Sequence, residues 1–285
     1  MNPTDKDLLC DPDRPCKLIQ LSDLHLPGLR EQRYRDRDVE QQFLQILEHV
    51  HRQHPDLDAL LLTGDLVQHG HADAYQRLAG YLNSFGKPWY WIAGNHDALA
   101  EMQRIRPTPG SALIANGWRI LMLDSNAAAD GLGSGSLGDA ELARLEDQLQ
   151  CALQTGESLL LVLHHNPLSV QSLWQDRIML GDAERLWQLF SRYQVAVTVL
   201  FGHVHQVWDM TQQSVRLLSC PSTAVQFVRG QEQLLIETQG AEALPGYRWL
   251  TLSPAGSAQD KPSGLLSSGL LSSGLTTAIE RVHTD

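Results

Sequence analysis

The chain has no apolar run approaching the ~20 residues that a membrane-spanning helix needs. Its first sixteen residues, Met1–Cys16, are acidic and polar and lack the basic start and apolar stretch of a secretory signal. Basic residues are scarce, with 22 Lys and Arg against 33 Asp and Glu, for a formal charge of −11. Nucleic acid is usually met by a clustered basic face, so no nucleic-acid partner and no membrane partner is expected. A small anion is still admissible, because a metal ion can dominate the charge of a pocket. The four cysteines (Cys10, Cys16, Cys151, Cys220) are scattered and form no CxxC pair. A Cys10–Cys16 bridge would need an oxidising compartment; reduced bystander thiols match the expected cytoplasmic location.

What is present is ordinary for a globular protein: 285 residues, 42% apolar and 19% charged. A chain of this length buries roughly three quarters of its unfolded surface, enough for one large domain. Strands are predicted at Lys17–Ser22, Ala59–Thr63, Pro88–Ala93, Trp118–Leu123, Leu159–Leu163 and Val195–Phe201. Apolar residues at helical spacing predict helices over Asp38–His54, Ala72–Phe85, Asp139–Leu153 and Asp182–Tyr193, the third opening on an acidic cap. After His205 the texture changes to short strand-like runs at Val207–Thr211, Val215–Ser219, Ala224–Val228, Leu234–Glu237 and Tyr247–Leu252. The expected class is α/β, with two sheets face to face and helices outside. Gly264–Leu275 is a tandem GLLSS repeat whose period fits neither helix nor strand, read as a flexible insertion without a role. A last strand follows at Thr276–Val282. The expected division is an extension (1–16), a main domain (17–254), the insertion (255–274) and a C-terminal strand and tail (275–285). Apolar strands left over in the second half could pair between subunits, which keeps a homodimer open.

Five predicted strands run into groups that bind metal: Asp23 and His25 (D-L-H), Gly64–Asp65, Gly94–Asn95–His96–Asp97, His164–His165, and Gly202–His203–Val204–His205. Ligands in such sheets sit beyond the carboxyl ends of the strands, so five ends side by side bring these groups together. Any one motif is weak, but burying so many unpaired polar groups would cost several kcal/mol each without a partner. Two carboxylates, an amide oxygen and four imidazoles form an O/N set without thiolate, suited to Mn, Fe, Zn or Co. Seven groups exceed the needs of one tetrahedral ion and serve two if Asp65 bridges through its two oxygens. Two dications, two carboxylates and a shared hydroxide leave residual positive charge, which favours an anionic phosphate ester.

The ordered set D-x-H, GD, GNHD, HH and GHxH resembles the signature of the calcineurin-like metallophosphoesterases, over residues 17 to about 205. The stretch Pro221–Phe227 (PSTAVQF) and Pro245–Gly246–Tyr247–Arg248 are similar to segments of the bacterial class III 3′,5′-cyclic AMP phosphodiesterases within that superfamily. The resemblance implies a four-layer αββα sandwich of two mixed sheets and a cofactor of two transition-metal ions, Fe or Mn foremost, with Zn or Co as alternatives. One ion would be held by Asp23, His25, Asp65 and His205, and the second by Asp65, Asn95, His164 and His203. His96 would be the catalytic group beside the phosphate, with His25, Asp65, Asn95, His96, His164 and His205 facing the substrate. The implied reaction is hydrolysis of cyclic AMP to 5′-AMP by a two-metal-activated hydroxide. The alternative is cleavage of glycerophosphodiesters or other small diesters at the same site.

Several neighbours are assigned from position alone. His165 is expected behind the site or on its substrate side, and Asp97 could orient His96. Gln226, Phe227 and the 131–138 segment are candidates to meet the base. Arg30, Arg33 and Arg35 could meet a phosphate but are read as solvated loop charges. His49, His51, His54, His69 and His71 are read as surface residues.

Overall fold

The computed structural model describes residues 6–7, 10, 14–253 and 274–284. Most of the GLLSS repeat lies outside the described residues. A five-stranded sheet has the order β12 (Leu275–Arg281), β11 (Gly246–Leu252), β2 (Cys16–Leu21), β3 (Ala59–Thr63) and β4 (Trp89–Ile92). A seven-stranded sheet has the order β1 (Lys6–Asp7), β5 (Leu113–Ala115), β6 (Trp118–Met122), β7 (Ser158–Val162), β8 (Val197–Phe201), β10 (Val215–Ser219) and β9 (Asp209–Gln212). Both sheets are mixed: β2, β3 and β4 are mutually parallel, as are β6, β7, β8 and β10, while β9, β11 and β12 pair antiparallel.

The period of two along each strand builds the layers. On β3, Ala59 and Leu61 enter a core between the sheets with Leu18, Leu160, Val162 and Leu200, while Leu60 and Leu62 face the other way. They meet Phe43, Ile46 and Val50 of α1 (Val39–Gln53), Leu78 and Leu82 of α2 (Ala72–Phe85) and Met102 of α3 (Leu99–Ile105). The outer face of the seven-stranded sheet, with Leu159, Leu161 and Val199, is covered by α4 (Gly138–Thr155) and α6 (Ala183–Arg192). Three cores between four layers give the αββα sandwich expected from the sequence. All five residues of β3 and of β8 are buried, as central parallel strands require. No helix of the described residues is long and apolar enough to cross a membrane.

Differences from the sequence expectation have local causes. Ala224–Val228 and Leu234–Glu237 form no strands; they touch through one bridge, Phe227 to Ile236. Val228 N–H meets Leu235 O and Glu237 N–H meets Gln226 O around that bridge, and the pairing goes no further: Phe227 N–H turns to His205 O and the Val225 carbonyl to His205 Nδ1. The remaining second-half strands build no sheet of their own but extend the edges of both. The acid at the start of α4 comes from across the chain: Asp182 accepts from the N–H groups of Leu137 and Gly138, whereas Asp139 pairs with Arg185. His49 and His54 are half-buried, each 3.1 Å from the Tyr247 hydroxyl. The four cysteines are free thiols.

Arg248 ties the two sheets together. It belongs to β11, is 2% exposed, and donates to Ser219 O at the end of β10 (3.0 and 2.8 Å) and to Trp208 O (2.9 Å). Truncation would remove the donors to Ser219 O, leave Trp208 O with the Ser219 N–H alone, and open a cavity. Arg248→Ala is therefore expected to lower the unfolding free energy by about 2–4 kcal/mol in urea titration. A loss below about 1 kcal/mol would show that the link between the sheets is dispensable.

Candidate metal centre

The loops leaving β2 and β3 continue the parallel pairing past the strands: Asp23 N–H meets Gly64 O (3.0 Å) and His25 N–H meets Asp65 O (2.9 Å). On the other sheet, Gly202 N–H meets His164 O at 3.0 Å. The sheets close on each other here, and glycine makes that approach feasible. A Cβ on Gly202 would overlap Ser22 Oγ and Thr63 O, and one on Gly64 would overlap the His164 ring across the sheets. Five side chains at these ends sit on left-handed backbone: Asp23 (φ 55°), His25 (48°), Asp65 (51°), His203 (68°) and His205 (50°). Each such residue costs roughly 1 kcal/mol or more, and strain of this kind gathers where function fixes position.

The donors form two groups that share Asp65. On one side, His25 Nε2 lies 3.1 Å from His205 Nε2, which is 3.5 Å from Asp23 Oδ1. On the other, His164 Nε2 lies 3.2 Å from Asn95 Oδ1 and 3.3 Å from His203 Nδ1. Asp65 Oδ2 stands between them, 3.8 Å from His25 Nε2 and 3.4 Å from His164 Nε2. Its other oxygen, Oδ1, is occupied by the His96 backbone N–H at 2.9 Å. The same carboxylate oxygen, Oδ2, thus faces both groups.

Hydrogen bonds to the far side of each ring assign the protons. His205 Nδ1 lies 2.6 Å from Val225 O, His164 Nδ1 2.8 Å from Thr63 O, and His25 Nδ1 2.7 Å from Gln68 Oε1. Each partner is an acceptor, so each Nδ1 carries the hydrogen and each Nε2 turns a lone pair inward. Two lone pairs 3.1 Å apart, on His25 and His205, cannot bond to each other. Asp23 Oδ2 is also buried without a hydrogen-bond partner. An inward set of lone pairs and carboxylate oxygens is what a cation satisfies, and these His and Asp groups fit a dinuclear metal site.

Titration reflects the same crowding. Burial pushes the Asp23 carboxyl up to about 7, against the pull of His164. Burial likewise pushes His25 down to about 4 and His203 down to about 3, while His205 falls well below the usual imidazole range. His164 goes the other way: burial opposes its charge, but Asp65 at hydrogen-bond range and Asp23 raise it to about 9. Burial also works against ionised Asp65, yet His164, His25 and His96 together hold it well below the usual carboxylate range. Positive charge is wanted where the two groups meet.

The calcineurin-like phosphoesterase family matches residues 16–207. The chain belongs to that family. This phosphoesterase is 33% identical over 272 residues to the 3′,5′-cyclic adenosine monophosphate phosphodiesterase CpdA of Vibrio vulnificus, covering 94% of this chain and 96% of the relative. It is 36% identical over 250 residues to the CpdA of Pseudomonas aeruginosa, covering 86% and 88%. A solved dimetal phosphatase from Danio rerio shares the fold with a TM-score of 0.63 at 14% identity, over 85% of this chain and 94% of that one.

Residues around the phosphoesterase centre take roles that position alone did not give. The Asp97 carboxylate does not hydrogen-bond the His96 ring. It accepts from the N–H groups of Leu66 (3.0 Å), Val67 (3.0 Å) and Gly94 (2.9 Å) and from the Tyr75 hydroxyl (2.8 Å), tying the Asp65 loop to the Asn95 loop. Gln226 lines the cleft beside His205 and Phe227, but its amide is already engaged. It is 2% exposed and bonds Ser222 through both ends of its amide, closing the loop that aims the Val225 carbonyl at His205. Phe227, next along, stacks on His205 with ring centroids 4.1 Å apart. Tyr34 stacks on His25 at 4.4 Å, which no spacing in the sequence signalled. His165 is buried behind His203, its Nδ1 on Ser125 Oγ at 2.7 Å, and it is His164 that approaches Asp65 and Asn95. His96 is half-buried at the mouth, 5.0 Å from the His25 ring. Arg30, Arg33, Arg35, His69 and His71 are exposed.

Asp97→Ala removes the acceptor of three backbone N–H groups and one hydroxyl. It is expected to cost about 3 kcal/mol or more in urea denaturation, against about 1 kcal/mol for Tyr75→Phe. Equal, small losses in both variants would mean that Asp97 does not tie the loops together.

Proposed function

We propose that this chain hydrolyses 3′,5′-cyclic AMP to 5′-AMP at a centre of two metal ions, with Fe or Mn as the ions and the cytoplasm as its location. The observation that carries the two-ion part is the single Asp65 oxygen facing both donor groups, with lone pairs turned inward on either side. Asp23, His25 and His205 would hold one ion, Asn95, His164 and His203 the other, and Asp65 would bridge. When bound, such a pair supplies Lewis acidity toward the phosphate and lowers the pKa of water. The choice of cyclic AMP draws on relatives named for that activity, at 33% and 36% identity over most of the chain. A cleft of about 380 Å3 lined by His205, Phe227, Arg229 and Arg281 is of a size that suits a nucleoside and is our placement for it.

Opening the ring replaces the bond between phosphorus and the 3′ oxygen with a bond to a water oxygen, and the 3′ oxygen gains a proton. His96 is the group proposed to deliver it. Its half-exposed ring stands at the mouth, and its backbone N–H, on Asp65 Oδ1, fixes it relative to the bridging carboxylate. Proton delivery of this kind is worth typically about 10²–10⁴-fold. His96→Ala should therefore lower kcat on cyclic AMP by about that factor and leave the metal content unchanged; wild-type kcat would remove the role. Elemental analysis should give close to two transition-metal equivalents per chain, which Asp65→Ala should reduce below one. Chelation should lower Tm, and Mn²⁺ should restore it, because a cation bound only by the folded state adds its binding free energy to stability. Identical melting curves with and without chelator would count against the centre.

The substrate is decided by a panel of cyclic AMP, cyclic GMP, 2′,3′-cyclic AMP and glycerophosphocholine with product identification. Turnover of another diester with cyclic AMP untouched would move the assignment to small diesters at the same centre.

A further inference from the structure

The loop after β2 carries Arg30, Arg33, Arg35 and Arg37 in a chain whose formal charge is −11. Arg35 stands at the tip of a two-residue turn, closed by Tyr34 N–H to Arg37 O (3.1 Å) and Arg37 N–H to Tyr34 O (3.0 Å). Both central residues are left-handed, Arg35 at φ 48° and Asp36 at φ 65°. A turn of that kind is normally built from Asn and Gly, which adopt positive φ at lower cost. Keeping Arg and Asp there holds strain in the backbone, and strain is retained where a side chain has to be aimed.

The turn aims a guanidinium. Its carbon lies 5.5 Å from the Tyr34 ring and 5.9 Å from the Phe227 ring, and its Nε donates to the Tyr34 hydroxyl at 3.3 Å. Those two rings stack on His25 and His205, so Arg35 stands over the first donor group, at the mouth of the centre. Arg77, Arg119, Arg144 and Arg216 each pair with a carboxylate, whereas Arg35 has no ion pair among the described residues. Beside it opens a cleft of about 370 Å3, lined by Arg33, Tyr34, Gln68, His69 and His71 among others. Gln68 bonds His25, and the His69 ring lies 6.3 Å from that of His96, so the cleft leads directly to the centre.

We propose that Arg35 is the substrate-binding cation of this site, its guanidinium holding a non-bridging oxygen of a phosphodiester monoanion at the mouth of the centre. The inference rests on the diesterase reading but not on cyclic AMP as the substrate. A guanidinium offers the planar fork of donors that phosphate oxygens accept. A local cation also offsets the repulsion that a strongly acidic protein exerts on an approaching anion.

The test compares wild type, Arg35→Gln and Arg35→Lys, loaded with Mn²⁺, on bis(p-nitrophenyl) phosphate, with inorganic phosphate as competitive inhibitor. Arg35→Gln is expected to raise KM for the diester and Ki for phosphate by about tenfold, with kcat within about twofold, and Arg35→Lys to fall between. The salt dependence of kcat/KM should be shallower in Arg35→Gln than in wild type. KM and Ki within about twofold of wild type in Arg35→Gln would overturn the proposal. Activity on this diester with cyclic AMP left intact would end the cyclic AMP reading and leave this comparison valid. Should wild type turn over neither, calorimetric binding of inorganic phosphate decides: loss in Arg35→Gln upholds the role of Arg35, and unchanged affinity rejects it.

Discussion

The structure turns on the crowding of lone pairs around one oxygen of Asp65. Val225 O, Thr63 O and Gln68 Oε1 fix the tautomers of His205, His164 and His25, so that three imidazole nitrogens point inward without hydrogen. Asp23 and Asp65 bring two carboxylates to the same place, and burial removes the water that would screen them. Such an arrangement is costly in a low-dielectric interior unless positive charge enters it. A proton on His164 gives partial relief, since two carboxylates support it to about 9. Metal ions give a fuller one, because they satisfy many lone pairs at once. The same feature that destabilises the bare constellation is thus the source of its affinity for cations.

Holding the constellation in place falls to the sandwich. Donors arrive from β2, β3 and β4 on one sheet and from β7 and β8 on the other, so their spacing depends on how closely the sheets approach. Gly64 and Gly202 permit that approach, and Gln20, reaching from β2 to Phe201 O at 2.9 Å, ties the sheets directly beneath the site. Five left-handed residues in so small a space would relax if left to themselves. They are held by parallel backbone pairing past the strand ends and by the Asp97 carboxylate, which collects the N–H groups of two loops. Site geometry and fold stability are therefore coupled through the same hydrogen bonds.

This division explains what could be read from the chain beforehand. The helices and central strands were legible because burial on one face or both imposes a period on residue type, as in ALLLT of β3 or the stripe of Leu142, Leu145 and Leu149 in α4. The donors themselves were legible because each follows such a strand directly. Residues that act through geometry left no such trace. Asp97 follows His96 in sequence, yet its carboxylate serves Leu66, Val67 and Gly94 instead of that ring. Gln226 looked like a polar group free for a ligand, but its amide is consumed by Ser222. Tyr34 sits in an irregular loop, and only the folding of that loop over His25 gives it a place. The runs around 224–228 and 234–237 have strand-like composition, but they share only two backbone hydrogen bonds, and the Phe227 N–H and Val225 carbonyl turn to His205 instead of a ladder.

Electrostatics then operates on two scales with opposite signs. Over the whole surface the excess of carboxylates repels anions. Within a Debye length of about 8–10 Å of the centre, the local arrangement counts instead. There the groups run in order from the outside in: an arginine on a left-handed turn with no ion pair among the described residues, imidazoles at the rim, and at the bottom the donors that fit metal. Aromatic faces line the passage, Tyr34 on His25 and Phe227 on His205, and they exclude water from the inner rings without adding negative charge. An acidic protein can therefore take an anionic ester, provided that attraction is confined to a funnel narrower than the range over which the rest of the surface is felt.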